Sequence, residues 1–136
     1  THLSFDGEKL KNQDSSNPIF YINYAHARIN QVFAKSQHSI DNLDGVKFEN
    51  IHQDGLNLVY ESLLLDSVLD DAFDKRDMQK ITDYLYNLAS SVHRFYNDHQ
   101  VIGSDTESEN LKALSMAALS IKVGLSLLGI TAKQKM

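Results

Sequence analysis

NPIFYINYAHARINQVF, residues 17–33, carries the end signals and the periodicity of an amphipathic helix. Asn17 is a favourable N-cap, because its side-chain oxygen can accept hydrogen bonds from the first free amides. Pro18 suits the first helical position, where its missing N–H costs nothing. At about 100° per residue, one stripe of this helix is apolar and is predicted to face the core. That stripe contains Ile22, Ala25, Ile29, Val32 and Phe33.

A second stripe on the same helix carries Tyr21, Tyr24, Arg28 and Lys35. Aromatic rings beside cations suit unstacked bases and phosphates, so this flank is a candidate RNA-binding surface. Tyrosines next to an apolar stripe also serve as half-buried packing residues with a hydrated hydroxyl group. Both interpretations fit the spacing of these residues.

Composition indicates one soluble domain with a core of its own, since the chain has 136 residues of which 42% are hydrophobic. The absence of cysteine excludes disulfides and thiolate metal sites. We expect no secretory signal at the N-terminus and no membrane span, because no apolar run approaches about 20 residues. These features predict a cytoplasmic protein. The net charge of −5 means that any RNA contact must use a local basic patch.

Elsewhere the sequence has few helix breakers and long apolar periodicities. Residues 1–16 are expected to be an extended lead-in, and residues 36–52 a loop. Residues 54–73 predict a helix, broken or bent near residues 66–67, with dense apolar positions that include Leu56 and Leu63. A further helix is predicted from its 3-4 spacing, with Asp77 as its cap. Its apolar seam comprises Met78, Ile81, Leu85, Leu88, Val92 and Phe95.

The last long helix is predicted to begin at a capping box formed by Thr106 and Glu109. Gly129 is a natural left-handed residue after its end. Residues 131–134 repeat the capping pattern and predict one more helical turn. The fold is therefore expected to be all-α, a bundle of four to five main helices over residues 17–136.

No catalytic constellation is present in the sequence, so no catalytic residue is predicted. The chain has neither a glycine-rich phosphate loop nor a nucleophile elbow. Its histidines show no metal-ligand spacing, and no metal site is predicted. His26 is expected to be a hydrogen-bonded structural imidazole at the edge of the core stripe. His93 lies on one stripe with Tyr86 and Asn97, and its role stays open.

Three stretches, in the same order, resemble the C-terminal anticodon-binding domain of bacterial arginyl-tRNA synthetases, the DALR class. They are NPIFYINYAHAR at residues 17–28, YLYNLASSVHRFYND at 84–98 and LSLLGITAKQKM at 125–136. The departures are small: Asn23 replaces a common glutamine, His99 replaces a frequent cysteine, and no Asp-Ala-Leu-Arg string occurs. The nucleotide-binding signatures of the family are absent. The resemblance therefore implies a helical anticodon-binding domain without its catalytic part.

This resemblance implies that the domain binds the anticodon loop of the tRNA for arginine. It implies base contacts for Tyr21 and Tyr24 and a phosphate or base-edge contact for Arg28. A second wall is implied for Tyr96 and Asn97, and the terminal Met136 is expected to pack near the RNA loop. The parent enzyme of such a domain is an ATP-dependent ligase, with ATP and magnesium bound by a catalytic domain that is also its partner. The fragment itself would need no cofactor.

A different function also fits the residues: a helical bundle that docks a protein through the same tyrosines. Tyrosine and arginine are enriched in protein interfaces as well as in RNA-binding surfaces. Salt dependence separates the two, because counterion release weakens RNA complexes steeply as the salt concentration rises.

Overall fold

Residues 17–136 are described in the computed structural model of the chain, and the predicted lead-in at residues 1–16 lies outside them. The described part contains five helices and no strand, which confirms the all-α prediction. The helices are α1 (Pro18–Lys35), α2 (Gln53–Leu63), α3 (Leu65–Lys75), α4 (Gln79–Asp98) and α5 (Glu107–Leu127). No helix in this part is long and apolar enough to cross a membrane.

Helix α1 forms as its sequence predicts. The Asn17 side chain accepts hydrogen bonds from the amides of Ile19 at 2.9 Å and Phe20 at 3.4 Å, and Pro18 opens the helix. The five residues of the apolar stripe are buried against α4 and α5. Helices α2 and α5 also pack together, and α3 lies against α4. One face of α1 is thus fixed in the core, and the side chains on its flanks remain available for contacts with other residues or with a ligand.

The helix predicted over residues 54–73 is broken, but at Leu64 rather than at residues 66–67. At the break, the Tyr84 hydroxyl donates to the carbonyl of Glu61 at 2.7 Å and lies 3.1 Å from the carbonyl of Ser62. The Ser120 hydroxyl donates to the Ser62 carbonyl at 2.7 Å. Burial raises the pKa of Tyr84 to about 12, so this hydroxyl keeps its proton. Contacts from α4 and α5 therefore fix the break.

The seam of α4 is buried as predicted, with the exception of Met78, which precedes the helix and is 40% exposed. The Asp77 side chain accepts from the amide of Gln79 at 3.1 Å, as expected for a cap. Leu56 and Leu63, two of the apolar residues noted in the 54–73 segment, are exposed and lie outside the core.

The predicted capping box at the start of α5 is wrong. Thr106 makes no capping hydrogen bond from its side chain. The buried Glu109 carboxylate instead accepts hydrogen bonds from the backbone amides of Glu49, Asn50 and Ile51, at 2.6, 3.0 and 3.2 Å. All three amides bond to the same oxygen, Oε1. Glu109 therefore anchors the end of the 36–52 loop, which is a loop as predicted.

The end of α5 is as predicted, but the residues after it are not. Gly129 has φ +79°, and the Ile130 amide donates to the Leu125 carbonyl at 2.8 Å, as in a Schellman motif. Residues 131–134 form no helical turn. Their backbone pairs with α1 instead: the Lys133 amide donates to Asn23 Oδ1 at 3.0 Å, and the Lys133 carbonyl accepts from His26 Nδ1.

His26 is the structural imidazole that the sequence predicts, 6% exposed and bonded to the tail. A carbonyl can only accept, so Nδ1 carries the proton, and the nearby Asn30 amide donates to the His26 carbonyl at 3.0 Å. Burial lowers the pKa of His26 below 6.5. The bond to Lys133 opposes this effect, and the Lys122 charge adds to it.

We expect Glu109→Gln to lower the free energy of unfolding by about 1.5–3 kcal/mol, the range for hydrogen bonds to a charged group. The substitution keeps the side-chain volume and removes the charge that three amides face. Urea unfolding followed by circular dichroism measures the change. Asp74→Asn, on the exposed surface of α3, is the matched control and should change stability little. Equal stability of the two variants would contradict the anchoring role of Glu109.

The lowered pKa of His26 predicts a pH dependence of stability. Below pH 6.5 the unfolded chain binds the proton more readily than the folded chain, so stability falls as the pH drops through this range. His26→Asn keeps an N–H group for Lys133 and cannot titrate, so the free energy of unfolding should fall less between pH 7 and pH 5. Asn23→Ala is the control: it removes the other tail bond and should lower stability equally at each pH. An unchanged pH slope in His26→Asn would be the contrary result.

Candidate nucleic-acid interface

The predicted flank of α1 meets one face of α4 in a group of rings around a cation. We call Tyr21, Tyr24, Arg28, His93 and Tyr96 the tyrosine cluster. The i, i+4 spacing on α1 places Tyr24 and Arg28 one turn apart. From α4, His93 and Tyr96 reach the same place. The cluster therefore depends on the packing of α1 against α4.

The Arg28 guanidinium occupies the centre of the cluster. Its Cζ lies 5.0 Å from the centre of the Tyr24 ring and 4.2 Å from that of the Tyr96 ring. It donates to the Tyr24 hydroxyl at 3.3 Å and to Nδ1 of His93 at 3.0 Å. A cation between two aromatic faces is attracted to both, and the two hydrogen bonds fix its orientation. Arg28 is therefore ordered before any ligand arrives.

His93 is buried beneath this arginine. Arginine cannot accept a hydrogen bond, so His93 accepts at Nδ1 and carries its proton on Nε2. Among the described residues, His93 Nε2 has no hydrogen-bond partner of ordinary geometry. The Tyr21 backbone is still near enough to affect the pKa of the His93 ring. Burial lowers the pKa of His93; the Tyr21 backbone opposes this, and the Arg28 charge adds to it. A neutral His93 can accept from Arg28, and a protonated one would repel it.

The two tyrosines of α1 differ in accessibility. Tyr24 is 37% exposed and stacks on Phe20 with ring centres 6.3 Å apart and planes 7° apart. Tyr21 is half-buried, its hydroxyl lies 3.2 Å from Ser90 Oγ, and its ring contacts Tyr86 at 4.8 Å between centres. The packing interpretation thus fits Tyr21, and the RNA-binding interpretation of Tyr24 stays a prediction. Tyr24 offers a ring to solvent, and Tyr21 mainly packs.

Three of the predicted site residues make no hydrogen bond, ion pair or ring contact with the side chains of this cluster within residues 17–136. Lys35 is exposed in the last turn of α1, and Asn97 is exposed near the end of α4. Met136 is 43% exposed at the end of the tail that Asn23 and His26 hold on α1. These three are peripheral to the ordered cluster.

Sequence reasoning left the role of His93 open and did not select Tyr86 or Phe20. The signal for His93 was its position on one stripe with Tyr86 and Asn97. That stripe does not reveal that an arginine from another helix bonds to the histidine. Tyr86 is 41% exposed beside Tyr21, and it extends the aromatic surface from α1 onto α4.

The chemistry available at this surface is that of binding. It offers aromatic faces, phenol hydroxyls and one oriented guanidinium, which suit flat, electron-rich groups and anions. Flat bases joined by phosphates have both properties.

Comparison with known proteins agrees with this chemistry. The family model described as the DALR anticodon binding domain matches residues 22–136. Arginine–tRNA ligase of Aliarcobacter butzleri is 70% identical over 136 residues, which cover 100% of this chain and 26% of that protein. Arginine–tRNA ligase of Campylobacter lari is 57% identical over 136 residues, which again cover 100% of this chain and 26% of that protein. The chain thus spans about a quarter of the length of these curated relatives.

A solved structure leads to the same family. A crystal structure from Campylobacter jejuni, described as that of an arginyl-tRNA synthetase, superposes with a TM-score of 0.91 at 54% identity. The match covers 100% of this chain and 30% of that one. The family model, the sequence relatives and the solved structure agree, and the chain belongs to the DALR anticodon-binding domain family of arginine–tRNA ligases.

Proposed function

We propose that this chain binds the anticodon stem-loop of the tRNA for arginine through the tyrosine cluster. The observation that carries the proposal is Arg28, ordered between two tyrosine rings at the surface of a domain of this family. RNA sequence is recognised mainly in single-stranded loops, whose unstacked bases rest on aromatic side chains or on arginine. The anticodon loop is such a segment.

In this proposal the exposed face of Tyr24 receives an unstacked base, and Arg28 binds a phosphate or a base edge. Tyr21 packs against the His93 ring, which the Tyr24 ring also contacts. Tyr96 holds Arg28 from the other side, and Asn97 follows it on the exposed surface of α4. Each stacked base contributes about 1–3 kcal/mol. Lys35 and Met136 act at the periphery, the first through its charge and the second as an apolar contact.

The acidic domain limits how tightly the isolated chain can bind. With a net charge of −5, long-range attraction to phosphate is weak, so affinity has to come from stacking and from a few cations. In the parent enzyme a catalytic domain holds the acceptor end of the same tRNA, and the two contacts reinforce each other through effective concentration. The catalytic domain is also the docking partner of this one. It uses ATP and magnesium to attach arginine to the tRNA, and the enzyme acts in the cytoplasm.

We expect Tyr24→Ala to weaken binding of an arginine anticodon stem-loop about five- to 150-fold, because one stacked base contributes about 1–3 kcal/mol. Fluorescence titration at two salt concentrations, beside a hairpin with a changed anticodon, measures affinity and specificity. Tyr60→Ala is the matched control, because Tyr60 is a 68% exposed tyrosine on α2 outside the cluster. Equal binding of both hairpins, unaffected by Tyr24→Ala, would contradict the proposal and favour a protein partner for this surface.

Since His93 accepts from Arg28, we expect it to act on RNA through that arginine. His93→Phe keeps a ring but removes the acceptor, and it should weaken binding several-fold. His93→Asn restores an acceptor and should recover part of the loss. In an Arg28→Gln background the effect of His93→Phe should disappear, as a double-mutant cycle measures. Additive losses would mean that His93 supports the fold alone; thermal unfolding of each variant provides the control.

A further inference from the structure

Two histidines and one aspartate meet where α2 begins and α4 ends, outside the tyrosine cluster. His52 caps α2, Asp54 lies in its first turn, and His99 directly follows α4. His99 Nε2 lies 2.8 Å from Asp54 Oδ2, and His52 Nδ1 lies 3.5 Å from the same oxygen. All three donor atoms are within 4.8 Å of one another. Since His99 lies 45 residues after Asp54 in the sequence, the spacing of the histidines does not reveal this group.

These three donor atoms could surround a small transition-metal ion after small side-chain rotations. Zinc binds imidazole nitrogen and carboxylate oxygen at about 2.0–2.2 Å, which puts neighbouring ligand atoms of a tetrahedron about 3.3 Å apart. Packing already holds one ligand in place: the His99 ring lies 4.8 Å from the buried Phe95 ring and 4.7 Å from the His52 ring. His52 and Asp54 are half-exposed and can adjust by small rotations.

The three side chains now hold one another by hydrogen bonds that a metal would replace. His99 Nε2 donates to Asp54, and His52 Nδ1 accepts from the Asp54 amide at 3.0 Å. On binding, neutral His99 takes the tautomer with its proton on Nδ1, which frees Nε2 for the metal, and His52 Nδ1 gives up its bond to the Asp54 amide. Asp54 Oδ2 faces both histidines, and the hydrogen bond from His99 lowers the pKa of Asp54. The nearby Arg94 charge opposes cation binding.

We propose that His52, Asp54 and His99 form a binding site for one zinc-like divalent ion. Imidazole and carboxylate together favour Zn²⁺, Ni²⁺ or Cu²⁺ over Mg²⁺ and Ca²⁺. Three protein ligands leave the remaining positions to water. The ion would tie the start of α2 to the end of α4, and its binding stabilises the folded chain by mass action. This inference does not depend on RNA binding.

The test is titration of the chain with ZnCl₂ by calorimetry, in chelator-washed buffer at pH 7.5. We expect one saturable site, a rise in the thermal unfolding temperature that EDTA reverses, and no effect of Mg²⁺ at the same concentration. Asp54→Asn and His99→Gln should each weaken Zn²⁺ binding more than about tenfold, since even outer-sphere partners of metal ligands contribute that much.

His38→Gln is the matched control, because it removes a histidine paired with Glu107, away from the three ligands. It should leave Zn²⁺ affinity unchanged. Circular dichroism without metal establishes that each variant is folded. The proposal would be overturned if the unsubstituted chain, Asp54→Asn and His99→Gln bound Zn²⁺ with equal affinity. Absence of saturable Zn²⁺ binding in the folded, unsubstituted chain would overturn it as well.

Discussion

The packing of α1 against α4 is the contact on which the rest of this structure depends. Burial of the α1 stripe, with Ile22 and Ile29 essentially inaccessible, fixes the rotation of the helix about its axis. Once the rotation is fixed, every flank residue has a determined direction. Tyr24 and Arg28 meet the residues of α4, and Asn23 faces the C-terminal tail. A rotation by one residue, about 100°, would expose the stripe and separate the cluster.

The cluster illustrates how an apolar core can prepare a polar site. Arg28 has many rotamers when free, and fixing a long side chain of this kind costs up to about 2 kcal/mol. Here the Tyr24 and Tyr96 rings and the His93 acceptor hold it during folding. A ligand then meets a guanidinium that is already ordered. The domain is acidic overall, yet it presents a cation at this surface, because aromatic rings rather than other charges position Arg28.

Local signals in the sequence predict local structure well, as Asn17, Pro18 and Gly129 show. Apolar periodicity predicts the buried faces of α1 and α4. It fails where a distant group decides the outcome: Tyr84 and Ser120 place the break at Leu64. Of the candidate site, Tyr21, Tyr24 and Arg28 follow from spacing on one helix. The pairing of His93 with Arg28 and the meeting of His52 with His99 depend on tertiary packing that spacing does not encode.

Contacts with α5 divide the loop before α2 into two parts with different freedom to vary. The amides of Glu49, Asn50 and Ile51 share one acceptor on α5, so the register of the chain entering α2 is set there. Upstream, the exposed Gly45 has open space around its Cα, and residues 39–42 form an exposed turn. Insertions and deletions in the exposed turn at residues 39–42 can be absorbed without moving α2. Between that turn and Glu49 the loop is also held on α5, because Leu43 is buried and Lys112 Nζ donates to the carbonyls of Asp44 and Val46.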